Sequence, residues 1–383
     1  MLVIDPGRIE RELARLGDGT VGVDVERADA ARYHRHAALV QVGVAGRCVL
    51  LDGMALDGLE LLDVFLAERT TVLHASTNDV VPLATRGVRP RRLADTATAA
   101  ALLGHPIGLG PLLGVLLGVE LGVDKERFQR ADWEARPLGE DMLAYAAGDV
   151  VHLPQLWDVL AAELDRTGRR AWYEQELEAA IAGAHADDRD WTRVKGSTRL
   201  SPAQRAVVRR VWEVREALAR EHDIAPNVLL HDDVIASLAT DPPRTVAKLV
   251  QRVPRHRAVA RRFGEELLAA IEEGRSAEPE PSRGGSNGRR WTEADRAVQD
   301  AMRKRRAAIA KDLGIESGVL CPSRPLAAIA IGDPDGPDAL VRLGGLRPWQ
   351  AELLAEPLWD AYERARSAPS TRAASEGASP PAP

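Results

Sequence analysis

Two carboxylates lie two positions apart in a run of β-forming residues near the start of the chain. The run Val21-Gly-Val-Asp-Val contains Asp24, and Glu26 follows it directly. Because side chains alternate across a strand, Asp24 and Glu26 leave the same face. Adjacent carboxylates raise each other's pKa unless a cation neutralises them, and hard divalent cations prefer such oxygen ligands. The pair therefore indicates either a metal site or a solvated strand edge.

Three further side chains could complete such a site. Asp79 follows a run of β-forming residues at the point where a helix begins, and a carboxylate there is often only the helix N-cap. Tyr145 and Asp149 are four residues apart, which puts the phenol and the carboxylate on one helix face. The same spacing also suits an ordinary hydrogen-bonded surface pair. The five side chains form one site only if the fold brings these three separate segments together.

Five short runs rich in β-branched residues predict the strands that would position these groups. Only a few residues separate the first three runs, which favours antiparallel hairpins, and the later runs alternate with helical stretches. The runs are Val21–Val25, Ala38–Val44, Cys48–Asp52, Thr71–His74 and Leu93–Asp95. This order predicts a mixed α/β sheet covered by helices in a first domain, residues 1–187.

The remainder of the chain has helical periodicity and little sign of strands. Residues 188–275 predict a second, all-α domain, and Ser201-Pro202 is a typical helix start. Residues 276–290 are rich in Pro, Gly and Ser and predict a flexible linker. Residues 291–367 repeat the layout of the second domain, which suggests a second copy. The low-complexity tail, residues 368–383, is expected to be disordered.

The composition is that of a globular protein and excludes two other classes. Of the 383 residues, 45% are hydrophobic and 28% are charged, which excludes a wholly disordered chain and a polytopic membrane protein. The most apolar stretch, residues 99–123, is interrupted by His and Pro and predicts two buried helices instead of a membrane span. Two cysteines and an N-terminus without a basic and apolar leader predict a cytoplasmic protein.

The charge is distributed unevenly along the chain. The formal net charge is −6, yet residues 191–271 carry 15 Lys and Arg against 9 Asp and Glu, and this asymmetry points to a nucleic-acid-facing module. Six cations are candidate phosphate contacts: Lys125, Arg130, Arg136, Arg209, Arg210 and Arg215. The chain has 46 Arg and only 5 Lys, so an ion-paired surface is an equal alternative for each.

The candidate site residues also carry a family resemblance. Asp24-Val-Glu, Asn-Asp79 and Tyr145-x-x-x-Asp149 resemble the three motifs of the DEDDy 3′–5′ exonucleases. The surrounding segments, among them VLHASTNDVVPL and LAYAAGDVVHLPQLW, are similar to bacterial ribonuclease D in an actinobacterial style. Residues 188–275 are similar to an HRDC domain, and residues 291–367 look like a more divergent second copy. The resemblance covers nearly the whole of the expected folded chain.

The resemblance implies a ribonuclease H-like fold with a five-stranded mixed sheet, followed by two HRDC-like domains. It implies that Asp24, Glu26, Asp79 and Asp149 hold two divalent metal ions, Mg²⁺ or Mn²⁺. It also implies that Tyr145 orients the attacking water and helps to accept its proton. Gly148 departs from the family pattern, and a glycine in a helix costs about 1 kcal/mol relative to alanine.

The expected function is that of a monomeric, metal-dependent 3′–5′ exoribonuclease that releases nucleoside 5′-monophosphates. Its expected partner is RNA with a single-stranded 3′ end, in particular precursors of transfer RNA. Two alternatives remain open on the residues alone. The same carboxylates would serve a DNA exonuclease of the repair type, and the fold could also be retained by a non-catalytic RNA-binding protein.

Overall fold

The first part of the chain forms a mixed sheet. The computed structural model describes residues 1–28, 31–34, 36–121, 125–128, 131–185, 189–281 and 291–367. The sheet has the order β1-β4-β3-β2-β5-β6. Its strands are β1 (Leu2–Val3), β2 (Val21–Ala28), β3 (His36–Val44), β4 (Arg47–Asp52), β5 (Thr70–Leu73) and β6 (Arg92–Asp95). β2, β3 and β4 are antiparallel neighbours, whereas β5 and β6 continue the sheet in parallel with β2.

The expectation of five strands is wrong by one. All five predicted strands are present with slightly shifted ends, but β1 adds a sixth strand parallel to β4, with Leu2 opposite Leu50. A strand of two residues is too short to show any alternation of polar and apolar side chains, so the sequence pattern could not reveal it.

Nine helices lie between and after these strands among the described residues. They are α1 (Ile9–Ala14), α2 (Glu60–Leu66), α3 (Val80–Thr85), α4 (Thr96–Leu103), α5 (Leu109–Leu117), α6 (Lys125–Phe128), α7 (Glu140–Val151), α8 (Leu153–Arg166) and α9 (Arg170–His185). α4 and α5 fall where two buried helices were predicted. Within the described parts of the chain, no helix is both long enough and apolar enough to cross a membrane.

The two faces of the sheet are buried in different ways. One face is aliphatic: Val21, Val23 and Val25 of β2 share a core with Leu13 of α1 and Leu62 of α2. The opposite face carries Asp24 and Glu26. Its apolar residues on β3 and β4 pack against α7 and against Phe128 and Trp133. The strict alternation along β2 therefore separates a structural face from a polar one.

α7 lies on the polar face because two glycines allow it to approach. A Cβ atom at Gly22 would lie 2.3 Å from the carbonyl oxygen of Val150, and one at Gly43 would lie 2.6 Å from a methyl carbon of the same residue. Larger residues on these strands would push α7 outward. α7 runs unbroken through Gly148, where an added Cβ would meet nothing within 4 Å.

The remaining described residues form two helical modules. The first contains α10 (Pro202–Glu221), α11 (Pro226–Leu229), α12 (Asp232–Thr240), α13 (Val246–Arg252), α14 (Arg257–Arg262) and α15 (Gly264–Ser276). The second contains α16 (Glu293–Leu313), α17 (Ser317–Leu320), α18 (Ser323–Gly332), α19 (Pro337–Gly344) and α20 (Pro348–Ser367). The starts of α10 to α14 recur in α16 to α20 at a constant offset of 91 residues, and α20 spans the counterparts of both α14 and α15.

The same internal contacts recur at this offset. The long first helix of each module begins with a capping box, formed by Ser201 and Thr292 respectively. Arg215 donates to the carbonyl of Leu230 at 3.0 Å, and Arg306 donates to the carbonyl of Cys321 at 2.6 Å. Each arginine thus ties the long helix to the end of the short helix that follows.

The predicted flexible linker is ordered at its start. Glu280 donates its backbone N–H to the carbonyl of Pro202 at 3.0 Å and accepts a hydrogen bond from Arg205 at 3.0 Å. Composition alone did not reveal this, because the bonds are made mainly by the backbone. Residues 282–290 of the linker and the predicted disordered tail, 368–383, lie outside the described residues.

The chain divides into two compact units, and the predicted domain limits stay predictions. One comprises Met1–Thr98, Gly108–Ala161 and Leu177–Ser282, and so includes the sheet and the first helical module. The other comprises Ala99–Ile107, Ala162–Glu176 and Arg283–Pro383. Within this second unit, Trp172 of α9 stacks on Trp349 of the second module with ring centroids 4.8 Å apart.

Candidate active site

Three of the predicted carboxylates meet on the polar face of the sheet. Asp24 and Glu26 come from β2, and Asp149 comes from the last turn of α7. All three are half-buried, and each offers an oxygen that lies within 4.8 Å of the others. This spacing is suited to a shared cation, because oxygen ligands of divalent ions lie about 2.0–2.6 Å from the metal.

The surroundings make this cluster unfavourable as three bare anions. Burial, together with the negative charges of Asp24 and Asp149, raises the pKa of Glu26 to about 9. A β-bulge between Glu26 and Arg27 shifts the register of β2 against β3 directly after the pair of acids. Such bulges change the direction of side chains and are common beside active sites.

Asp79 is the fourth predicted carboxylate, and it is not a helix cap. It occupies the N-cap position of α3, but its side chain makes no capping hydrogen bond. It is only 3% exposed, and its Oδ2 atom has no hydrogen-bond partner among the described residues. Burial, together with the charge of Asp24, raises its pKa well above the ordinary value. A buried carboxylate oxygen without a donor is costly unless a cation satisfies it.

Asp95 accepts hydrogen bonds from the turn that precedes Asp79 and so fixes its position. Its Oδ2 accepts hydrogen bonds from the backbone N–H of Ser76 at 2.8 Å and from the Ser76 hydroxyl at 2.7 Å. Its Oδ1 accepts from Ala75, Ala97 and Thr98, at 3.2, 2.8 and 3.0 Å. Ala75 adopts a left-handed conformation with φ 61°, which is unusual for a residue with a Cβ. The end of β5 and the start of α4 are therefore clamped around one buried carboxylate.

Tyr145 lies one turn before Asp149 on α7 and hydrogen-bonds with its carboxylate. The ring is buried, stacks on Phe128 with centroids 5.2 Å apart, and lies 6.3 Å from the ring of Trp133. Burial and the negative charges of Asp149 and Glu26 raise the pKa of the phenol above its ordinary value. Tyr145 and Asp149, which their spacing of four residues placed on one helix face, therefore form a hydrogen-bonded pair within the acidic cluster. They are not an isolated surface pair.

These residues fit hard divalent cations. The four candidate ligands are all carboxylates. Three of them converge, and the fourth has a buried oxygen that no donor of the described residues reaches. Mg²⁺ and Mn²⁺ favour such oxygen donors over nitrogen or sulfur. Neither cysteine belongs to the converging cluster, and both are free thiols.

Two of the predicted phosphate contacts have acidic partners within the fold. Arg136 forms a two-pronged ion pair with the buried Asp52, at 2.7 and 2.6 Å, and also donates to backbone carbonyls. Arg215 is only 6% exposed and pairs with Asp232 at 2.7 Å. These bonds give both guanidinium groups a structural role, and the phosphate contacts predicted for them stay predictions. Helical spacing could not reveal the partners Asp52 and Asp232, which lie on other elements.

The other four predicted contacts have different outcomes. Arg209 and Arg210 are exposed but share Glu213 as an ion-pair partner at 2.8 and 2.9 Å. Lys125 lies in α6, but its side chain is outside the described part of the structure, as is the whole of Arg130. The contacts predicted at these four positions stay predictions.

A cationic cleft in the first helical module was not foreseen. It has a volume of about 960 Å³ and is lined by the 189–199 segment, by Trp212 and by His231. Lys195 and Arg199 are exposed there, and neither has an ion-pair partner among the described residues. Its acidic lining residues are partly neutralised, since Arg189 and Arg215 both pair with Glu216. The positive net charge of residues 191–271 indicated this module. The phosphate contacts were nevertheless predicted on α10, because its helical periodicity is clear, and not on the loop that precedes it.

Comparison with known families matches two parts of the chain. Residues 7–165 match a family described as 3′-5′ exonuclease, and residues 204–271 match the HRDC domain family. Ribonuclease D of Jannaschia sp. is 31% identical over 82% of this chain and 84% of its own length. Ribonuclease D of Pseudomonas paraeruginosa is 31% identical over 90% of this chain and 92% of its own length.

Two solved structures share the overall fold. A protein from Bifidobacterium adolescentis has a TM-score of 0.77 at 27% identity, and the match covers 94% of this chain and 96% of the other. Escherichia coli RNase D, described as an exoribonuclease involved in structured RNA processing, has a TM-score of 0.77 at 21% identity. That match covers 95% of this chain and 98% of the other.

The mixed sheet, the converging carboxylates and the matched families define a 3′–5′ exonuclease of the metal-dependent type, joined to a helical nucleic-acid-binding domain. Within this class, the two ribonuclease D relatives identify the family, because each is 31% identical and is matched over most of both chains. The chain belongs to the ribonuclease D family and is a 3′–5′ exoribonuclease. The resemblance to an actinobacterial type stays a prediction.

Proposed function

We propose that the chain shortens RNA from single-stranded 3′ ends at the carboxylate cluster, releasing nucleoside 5′-monophosphates. The observation that carries this proposal is the convergence of Asp24, Glu26 and Asp149, together with Asp79, which senses the charge of Asp24 and has a buried oxygen without a hydrogen-bond partner among the described residues. Precursors of transfer RNA are the substrates we propose, on the strength of the family. The cytoplasmic location and the monomeric state stay predictions from the sequence.

Asp24, Glu26, Asp79 and Asp149 would hold two divalent cations, either Mg²⁺ or Mn²⁺. Such a pair supplies a water of lowered pKa and neutralises charge at the phosphodiester. The protein provides a fixed arrangement of acids: two on one strand, one on a clamped turn and one on α7. The close approach of α7 to the strands at Gly22 and Gly43 holds Asp149 against the two acids of β2.

Tyr145 would hydrogen-bond the attacking water and fix its direction. Burial and the negative charges of Asp149 and Glu26 raise the pKa of the phenol in the metal-free site, which favours an oriented hydroxyl group there. The share in accepting the proton that the sequence also gave Tyr145 stays a prediction. Asp149 accepts a hydrogen bond from the phenol and so links the orientation of the tyrosine to that of a metal ligand.

The RNA chain upstream of the 3′ end would contact the cationic cleft. Lys195 and Arg199 supply charge for phosphates, and Trp212 supplies an aromatic surface beside them. Contacts of this kind recognise the backbone and tolerate any sequence. The cleft belongs to the module that matches the HRDC domain, a nucleic-acid-binding family.

We further propose that residues 291–367 are a second HRDC-like domain, with domain limits at 1–187, 188–275 and 291–367. The constant offset of the helix starts and the equivalent bonds of Arg215 and Arg306 support a duplication.

The test uses 5′-labelled single-stranded RNA and the matching DNA, each with Mg²⁺, Mn²⁺ or EDTA. We expect a ladder that shortens by one nucleotide at a time on RNA and that is abolished by EDTA. If DNA is shortened as fast as RNA or faster, the protein would instead be a DNA exonuclease of the repair type. Retention of RNA without any ladder would instead indicate a binding protein on an exonuclease scaffold.

A further inference from the structure

Gln41 lies directly beside the acidic cluster on the sheet. In the antiparallel pairing of β2 and β3, Gln41 is the register partner of Asp24. Directly opposed residues in such a pair project from the same face, with Cβ atoms about 4.5–5.5 Å apart. Leu39, two residues earlier on β3, packs with Tyr145 and Ala146 of α7, which identifies this face as the one that α7 covers. The Gln41 side chain therefore lies between the sheet and α7, next to a predicted metal ligand.

The amide of Gln41 has no structural role in the described hydrogen bonds. The residue is 0% exposed, and neither its Oε1 nor its Nε2 atom has a hydrogen-bond partner among the described residues. An unsatisfied buried polar group lowers the stability, so an apolar residue of similar size would be more favourable for packing alone. A buried amide of this kind beside a cluster of acids calls for a functional explanation.

A neutral hydrogen-bond donor is chemically suited to this position. A lysine or arginine beside Asp24 would neutralise the carboxylate and compete with a cation, whereas an amide carries no charge and can still donate a hydrogen bond. Carboxylates that bind metals are generally held by a further hydrogen bond, which fixes the oxygen that faces the ion. The amide group can hold Asp24 without changing the charge of the site.

We infer that Gln41 is a positioning residue for the metal site: its amide makes no hydrogen bond to a described residue in the metal-free structure, and on cation binding its Nε2 atom would turn to donate to the carboxylate of its register partner, Asp24. This inference rests on the proposed function, because it assumes that Asp24 binds a divalent cation. Gln41 does not contact the reacting atoms in this account and acts through the orientation of Asp24.

The test compares Mn²⁺ affinity with stability in the full-length protein. Gln41→Met removes the amide and keeps the approximate volume of the side chain. We expect it to weaken Mn²⁺ binding about 10- to 100-fold, measured by electron paramagnetic resonance of free Mn²⁺. We expect the Tm without metal to be unchanged or higher, because an unpaired amide has been removed from the interior.

Thr71→Val is the matched control. Thr71 is also 0% exposed, and its hydroxyl has no hydrogen-bond partner in the described parts of the chain. It pairs with Val21 of β2 and so lies on the opposite, aliphatic face of the same sheet. We expect Thr71→Val to keep the Mn²⁺ affinity of the wild type.

Wild-type Mn²⁺ affinity in Gln41→Met would overturn the inference, as would an equal loss in both variants, which would indicate general loosening of the sheet. If Gln41→Met does not fold, Gln41→Asn provides the same readout, because it retains the amide but moves it away from Asp24 by one methylene. Wild-type Mn²⁺ affinity in Gln41→Asn would also overturn the inference. Absence of Mn²⁺ binding in the wild type would contradict the proposed metal site itself, and the inference with it.

Discussion

Tyr145 is held as a neutral phenol by its surroundings. Its ring is fixed between the sheet and Phe128, and its hydroxyl faces Asp149 and Glu26, whose negative charges oppose ionisation. The hydroxyl can therefore donate a hydrogen bond to a carboxylate and accept one from a water at the same time. The aromatic contacts do not require the hydroxyl, so packing and chemistry can be separated at this residue.

Tyr145→Phe is expected to lower kcat about 100-fold or more while leaving the Tm close to that of the wild type, because only the oriented hydroxyl is lost. Single-turnover degradation of labelled RNA measures this effect. Tyr362→Phe is the control, since its hydroxyl donates to Asp333 at 2.7 Å in the second helical module. A wild-type rate in Tyr145→Phe would exclude the role given to the phenol.

At the scale of elements, the turn after β5 depends on a single carboxylate. Asp95 joins the backbone of the Ala75–Ser76 turn to the first turn of α4, and Asp79 follows three residues after Ser76. The strained φ of Ala75 requires such external support. The position of Asp79 is thus set by a residue that does not belong to the cluster.

Asp95→Ala is expected to destabilise the protein by about 3 kcal/mol, because several backbone N–H groups lose their acceptor. It is also expected to lower kcat strongly at temperatures well below the Tm, because Asp79 is displaced. Thr245→Ala provides the control: its hydroxyl caps α13 at 3.3 Å, and its loss should cost about 1 kcal/mol without affecting kcat. Unchanged kcat in folded Asp95→Ala would show that the turn keeps its shape unaided.

The contact between α7 and the sheet can be tested with two glycines. Gly22→Ala places a Cβ 2.3 Å from a backbone oxygen of α7, so we expect both the Tm and kcat to fall as the helix moves outward. Gly148→Ala meets no neighbouring atom and should raise the stability by about 1 kcal/mol with kcat retained. Thermal unfolding and RNA degradation rates measure both effects. Equal behaviour of the two variants would contradict the close packing of α7 at Gly22.

The strands and most helices could be predicted from local patterns, since alternation and helix-start signals act within a few residues. β1 was missed because two residues carry no period, and the β-bulge after Glu26 leaves no signature in composition. The grouping of Asp24, Glu26, Asp79 and Asp149 came from the family resemblance, because spacing alone allowed a strand edge and a helix cap. The structural roles of Arg136 and Arg215 depend on partners distant in sequence and were not predictable.

At the scale of the whole molecule, the exonuclease sheet and the first helical module share one compact unit. Asp223, at the end of α10, accepts hydrogen bonds from the backbone N–H of His34 at 2.9 Å and from Arg32 at 3.1 Å. Arg220 of α10 donates to the hydroxyl of Tyr33 at 2.9 Å. The module that carries the cationic cleft is therefore fixed to the segment between β2 and β3.

The cleft should dominate the salt dependence of RNA binding. The double variant Lys195→Ala, Arg199→Ala is expected to reduce the slope of log affinity against log salt by about 1–2, because two phosphate contacts are lost. Fluorescence anisotropy of labelled RNA in EDTA measures binding without cleavage. The matched control pair, Arg255→Ala and Arg257→Ala, removes two exposed cations of the same module outside the cleft. Equal effects of both pairs would mean that only net charge matters.

The most direct test of the carboxylate site is Asp24→Ala, assayed for cleavage and binding in the same preparation. We predict that this variant no longer shortens 5′-labelled RNA in Mg²⁺ but still retains the RNA at low salt in EDTA with an affinity close to that of the wild type. Cleavage near the wild-type rate by Asp24→Ala would contradict the assignment of these carboxylates as the centre of the reaction.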